Sequence, residues 1–246
     1  MDAIKEYLDE QTIRINTPAF IESDPVQFPR RYTRLQDIEI VSFLTATITW
    51  GRRPLILKSA ERMFSKMGQS PYDFVMNEGY KTLRTANIHR TFFEQDLAYM
   101  LIGYRDILLR FESIKAFLES IPELHTPWDI AAVLYSEIKK ANDNYPNSKC
   151  FSSHLEKSAL KRFNLALRWL VRNDGIVDLG VWTFMNPSQL YIPLDVHVGN
   201  MARKLNLLQR TSNDRKAVEQ LTGRLREFCP DDPIKYDFAL FGIEII

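Results

Sequence analysis

Between Leu35 and Trp50 the apolar residues Leu35, Ile38, Ile40, Val41, Leu44 and Ile48 recur three and four positions apart. That helical rhythm returns along most of the chain, and it limits the available folds more than any other feature. With only 9 glycines in 246 residues, and no valine- or threonine-rich runs alternating as half-buried strands do, the pattern predicts an all-α protein. Gly51 closes the first helix, and a second is expected from Pro54 to Met67, before Gly68. Ser70-Pro71 and Thr126-Pro127 each place a capping hydroxyl ahead of a proline, which predicts helix starts at both. A long apolar pattern from Arg90 to Ser120 contains Gly103, which is expected to divide it. Polar turn chemistry at Ala141–Ser148 predicts an exposed loop. Further helices are expected near Ser153–Arg172, Pro187–Tyr191, Asp195–Leu205, Asn213–Phe228 and from Pro233 onward. The chain is expected to form one compact helical unit over 1–246, with a lobe boundary near 141–150 if it has one.

A net charge of +1 advertises no global attraction to nucleic acid or membrane, although a local basic face would suffice for binding. No apolar run approaches the ~20 residues of a membrane span. Two cysteines, Cys150 and Cys229, cannot supply a four-cysteine metal or cluster site. The N-terminus lacks a signal core, so the default expectation is a cytoplasmic chain.

Ile192-Pro-Leu-Asp195-Val-His197 holds the most informative acidic residue. Pro193 disfavours helix at Ile192, so Asp195 falls at the start of a new helix whose stripe is Val198, Met201, Ala202 and Leu205. Aspartate there is an ordinary N-cap. The same position also holds a carboxylate rigid and ionised, as a group that stabilises positive charge must be. Upstream, Lys157, Lys161, Asn164 and Arg168 recur along one helical face opposite Leu160, Phe163, Leu167 and Leu170. Such a face is usually solvated, but burial or neighbouring positive charge favours the neutral amine of a lysine on it, and either makes it a better nucleophile at neutral pH.

The order of a lysine-bearing helix, Asp178-Leu-Gly180-Val-Trp182, and Ile192-Pro-Leu-Asp195-Val-His197-Val-Gly-Asn-Met-Ala-Arg203 resembles the C-terminal part of the helix-hairpin-helix DNA glycosylase superfamily. Leu35–Met67 is similar to the buried helix pair of that superfamily. The interval from Lys161 to Asp195 and the atypical hairpin look like the archaeal 8-oxoguanine glycosylases. The whole chain also resembles an uncharacterised bacterial family of about this length.

The resemblance implies a two-lobed helical bundle and removal of a damaged base from double-stranded DNA, with no cofactor. It makes Asp195 and Lys161 the catalytic pair, with Lys161 forming a Schiff base where lyase activity accompanies excision. The hairpin of the superfamily usually reads Leu-Pro-Gly-x-Gly; here Phe151-Ser-Ser-His-Leu-Glu-Lys157 has no glycine. Ser152 and Ser153 stand where backbone N–H groups would meet a phosphate. Lys157, Arg162, Arg168, Arg172, Arg203 and Lys204 complete the expected DNA-facing surface, joined by Arg52 and Arg53. Trp50, Trp182 and Trp169 are candidates to stack on an extruded base, with Gln189 for an edge contact; large aromatics on helices are more often core.

His197, two residues from Asp195 at a helix start, points away from it. His89, His125, His154 and His197 have no paired spacing, so no metal site is expected. Two further readings fit the same residues: a non-catalytic nucleic-acid-binding protein that kept the fold, and a helical protein-interaction domain.

Overall fold

The computed structural model describes residues 2–152 and 154–242. They are predominantly helical. In chain order the α-helices are α1 (Asp2–Ile15), α2 (Pro18–Ser23), α3 (Leu35–Thr47), α4 (Arg53–Ser65), α5 (Pro71–Met76), α6 (Glu94–Arg110), α7 (Ile114–Glu119) and α8 (Pro127–Ala141). They continue as α9 (Lys161–Val171), α10 (Val196–Lys204), α11 (Arg215–Phe228) and α12 (Asp237–Gly242). No described helix is long and apolar enough to cross a membrane. The chain divides into two compact units, residues 23–153 and residues 1–22 with 154–246.

In the first of these units α3 is buried along nearly its whole length, from Asp37 to Thr47. Its two acidic residues are buried because they cap other elements. Glu39, fully buried, accepts the backbone N–H groups of Ile114 and Lys115 at 2.9 and 2.8 Å, which anchors the start of α7. Asp37 accepts the N–H of Tyr72 at 2.7 Å and the hydroxyl of Ser70, which anchors the start of α5. Ser70 and Thr126 cap α5 and α8 through the N–H groups of Asp73 and Asp129, as the Ser-Pro and Thr-Pro pairs predict.

Gly103 does not divide the long pattern. α6 runs through it unbroken, and a Cβ at Gly103 would stand 2.7 Å from the Cα of Ile138. The glycine is there because α6 and α8 approach so closely at that point that no side chain fits between them. The break comes later, where Phe111 turns extended and Ser113 caps α7 through the N–H of Ala116.

A small antiparallel hairpin, β1 (Asn87–His89) and β2 (Phe92–Phe93), precedes α6 and departs from the all-helical expectation. His89 is the reason it is fixed: 1% exposed, it holds the Trp50 carbonyl oxygen at 2.8 Å and the Ser59 hydroxyl at 3.0 Å.

In the second unit α1 packs against α12, and α12 packs against α10. The helix expected over Ser153–Arg172 is shorter. A 3-10 turn occupies Leu155–Lys157, and α9 begins only at Lys161. Leu160, immediately before it, takes φ 47 and ψ 34, a left-handed conformation costly for a side-chain-bearing residue. The Ser158 hydroxyl accepts the Leu160 N–H at 3.2 Å, and Asn164 Nδ2 donates to the Ala159 carbonyl at 3.1 Å, so side chains hold the turn.

Candidate functional site

Asp195 is the N-cap of α10. Its backbone is extended, and its Oδ1 accepts the Val198 N–H at 2.9 Å. Its own carbonyl accepts the Gly199 N–H and the Asn213 side-chain amide, both at 2.9 Å, so the residue is fixed from three directions. The other carboxylate oxygen, Oδ2, lies 3.8 Å from Lys161 Nζ. Both side chains are partly open to solvent, 28% for the lysine and 19% for the aspartate. An amine and a fixed carboxylate are thus side by side and reachable, one at the start of α9 and one at the start of α10.

One turn into α9, Asn164 is 1% exposed and its Oδ1 accepts no hydrogen bond among the described residues. Val196 and His197 flank Asp195 on the exposed side, Val196 at 64%. His197 points outward, its ring edge-on to Phe241 at 6.4 Å. No cluster of three or more metal-ligating side chains occurs among the described residues.

Behind the pair lies a buried ionic network. Arg168 is 3% exposed; its Nε meets Asp178 at 3.2 Å and its Nη1 pairs with Asp237. One turn on, Arg172 binds the second oxygen of Asp178 at 2.9 Å, Asp174 at 2.6 Å and Asp232 at 2.9 Å. Both guanidinium groups lie over the Phe238 ring, at 4.5 and 5.5 Å from its centre. Asp174 in turn collects the N–H groups of Ile176, Val177 and Asp178, shaping the loop that returns Asp178 to the arginines. Burial pushes the Asp237 carboxyl up to about 6; Arg168 opposes the shift, and the negative charges of Asp195 and Asp178 add to it. Burial likewise raises Asp178. The charge on Asp195 is therefore felt within the network.

This corrects two expectations. Arg168 and Arg172 do not face solvent: both are buried, with their donors directed at carboxylates, so neither supplies a phosphate contact. A sequence signal for this exists, because three large apolar residues fill the interval from Arg168 to Arg172. Trp182, 1% exposed, does not line an open pocket. Its backbone N–H donates to the Leu170 carbonyl at 2.7 Å and its ring packs on Phe184 at 5.3 Å. Trp169 is also fully buried.

The remaining candidates are dispersed. Gln189 uses its Oε1 to accept the Asn186 N–H at 2.8 Å, closing a 3-10 turn over Pro187–Gln189. Arg203 ties down the loop after α10 through the Arg210 and Thr211 carbonyls and Asn213. Lys157 and Lys204 are exposed, while Arg162 and Ser152 are half-buried. Ser153 lies outside the described residues. Trp50 belongs to the unit of residues 23–153, half-buried, with its ring edge-on to His89 at 4.8 Å.

Comparisons with curated proteins and with solved structures returned no match. Residues 24–246 match a family described as "Protein of unknown function (DUF2400)". The match takes in Trp50, Lys161, the arginine–aspartate network and Asp195, and the chain belongs to that family.

Proposed function

We propose that the protein is a DNA glycosylase-like enzyme that uses Lys161 and Asp195 to remove a damaged base from duplex DNA. The observation that carries this reading is the 3.8 Å approach of Lys161 Nζ to Asp195 Oδ2 at a partly open surface. The resemblance to the helix-hairpin-helix glycosylases implies catalysis by the same two residues.

In such a reaction the bond between C1′ and the base nitrogen breaks and its electron pair leaves with the base, which gains a proton, while a water molecule adds to C1′ and gives up a proton. Positive charge develops on the sugar, and a carboxylate already fixed by a helix N-terminus stabilises it without reorganising. With lyase activity, neutral Lys161 attacks C1′, and Asp195 is near enough to take part in the proton transfers that lead to the Schiff base.

Excision is tested by incubating the protein with duplexes carrying oxidised, deaminated or alkylated bases, and running the Asp195→Asn protein in parallel. The reading predicts release of at least one base class by the wild type and none by the variant. Borohydride reduction during the reaction is expected to leave a covalent protein–DNA adduct that Lys161→Ala does not form. Release without an adduct would make the enzyme monofunctional; no release from any lesion would end the catalytic reading.

A second reading, a non-catalytic nucleic-acid-binding protein, draws support from the burial of Trp182 and the engagement of Gln189, which remove two of the base-pocket candidates. Binding of duplex by both wild type and Asp195→Asn, with no release, would favour it.

A further inference from the structure

The loop Trp50–Arg53 and the turn of the β1–β2 hairpin bring basic side chains together in the unit of residues 23–153. Arg90, in the hairpin turn at φ 52, lays its guanidinium over the backbone of Gly51, whose own φ is +99; a Cβ there would stand 2.8 Å from Arg90 Nη1. Arg52 is the next residue and the N-cap of α4, and its side chain does not cap the helix. Arg53 begins that helix. From the third turn of α4, exposed Arg62 reaches the Ile88 carbonyl of the hairpin.

Other arginines of this unit are matched with acids, among them Arg31 with Glu61 at 2.8 Å, Arg34 with Asp73 at 3.2 Å, and Arg110 with Asp106 and Glu137 at 2.6 and 2.9 Å. Arg52 and Arg90 are exposed and neither makes an ion pair among the described residues.

We propose that Arg52 and Arg90, set on the Trp50–Arg53 loop and the hairpin turn, form a surface that binds the phosphate backbone of duplex DNA.

The support beneath is rigid. Buried His89 ties the Trp50 carbonyl to Ser59 of α4 and stands edge-on to the Trp50 ring, so loop, hairpin and helix are held as one. The local field is positive. Burial pushes the His89 imidazole down, and the charges of Arg90 and Arg62 push it further, against its hydrogen bond to the Trp50 carbonyl. The uncapped start of α4 adds its partial positive charge on the same side as Arg52. Guanidinium groups suit phosphate oxygens because they present paired donors in one plane. Free inorganic phosphate offers the same oxygens but only one phosphate at a time, whereas two exposed arginines on separate elements suit successive phosphates of a strand. Such contacts position a duplex without reading its sequence.

The inference rests only on the nucleic-acid part of the proposed function, and its test uses undamaged DNA so that excision does not enter. Binding of a short fluorescent duplex is followed by anisotropy between about 50 and 200 mM salt. The variants are Arg52→Gln with Arg90→Gln, and, as a control of equal charge change, Lys81→Gln with Lys140→Gln, both of which are exposed and acid-paired. The arginine pair is expected to lower the slope of log affinity against log salt by about two, and Arg52→Gln alone by about one, with the lysine pair close to wild type. Thermal midpoints of all four proteins are measured alongside, and the single variant carries the test if the double one does not fold. An unchanged slope for both arginine variants, an equal loss in the lysine control, or no binding of duplex by the wild type would overturn the proposal. Binding through these arginines without release of any base would uphold it while removing the catalytic reading.

Discussion

Asp195 caps α10 with one carboxylate oxygen and faces Lys161 with the other. Capping and chemistry therefore do not compete for the same atom: the oxygen that accepts the Val198 N–H fixes the one that meets the amine. The two roles separate by substitution. Asparagine is nearly as good an N-cap as aspartate, so Asp195→Asn is expected to change stability by less than about 1 kcal/mol while lowering excision at least about 100-fold. Asp195→Ala is expected to lose the cap as well, costing about 1 kcal/mol. Denaturant unfolding beside single-turnover kinetics distinguishes the pair; a stability loss in the asparagine variant as large as in the alanine one would contradict the division of labour.

Arg168 and its two carboxylates are expected to dominate the stability of their unit. Arg168→Ala leaves Asp178 and Asp237 buried with one cation fewer, which costs roughly 3–5 kcal/mol. Arg168→Lys is expected to recover only part of it, because one ammonium does not span two carboxylates as a guanidinium does. Urea unfolding of the three proteins measures both; a surface arginine would show less than about 1 kcal/mol in either variant.

Asp237 gives the network a pH signature. Its carboxyl is raised to about 6 in the fold, so the folded state holds the proton more tightly than the unfolded chain does. Stability from this group is full in acid, below the unfolded value, and is lost as pH rises through about 6, by roughly 3 kcal/mol at most. The stability of the wild type relative to Asp237→Asn is therefore expected to fall between about pH 4 and pH 7. A relative stability that stayed flat, or rose, across that range would contradict the assignment.

Gly103 and Gly223 make opposite predictions for one substitution. Gly103→Ala drives a methyl group into the Ile138 backbone and is expected to cost roughly 1–3 kcal/mol. Gly223 sits in α11, where an added Cβ would meet nothing within 4 Å, so Gly223→Ala is expected to stabilise by up to about 1 kcal/mol. Thermal midpoints should move in opposite directions.

What residue order reveals is local. Ser70-Pro71, Thr126-Pro127 and Pro193-Leu-Asp195 announce helix starts because a cap satisfies backbone groups only a few positions away. The helical rhythm of Leu35–Ile48 announces α3 for the same reason: periodicity is a property of neighbours along the chain. The pairing of Lys161 with Asp195 follows from the resemblance rather than from spacing, and the apolar rhythm puts Lys161 mid-helix when it begins one. Side-chain hydrogen bonds from Ser158 and Asn164, with Leu160 left-handed, decide that start, and their combined geometry has no sequence period.

Tertiary packing decided the rest. An isolated glycine weakens a helix, so Gly103 reads as a break from sequence; the nearness of Ile138 on α8 turns it into a contact. Charge alone favours water, so Arg168 and Arg172 read as a basic surface. Asp174, Asp178, Asp232 and Asp237 reach them from loops and from α12, and only that meeting offsets the cost of burying two guanidinium groups. Asp195 is recognisable from sequence as a cap and a candidate carboxylate. Which charges surround it depends on which helices fold against α10, and that is a matter of three-dimensional neighbours.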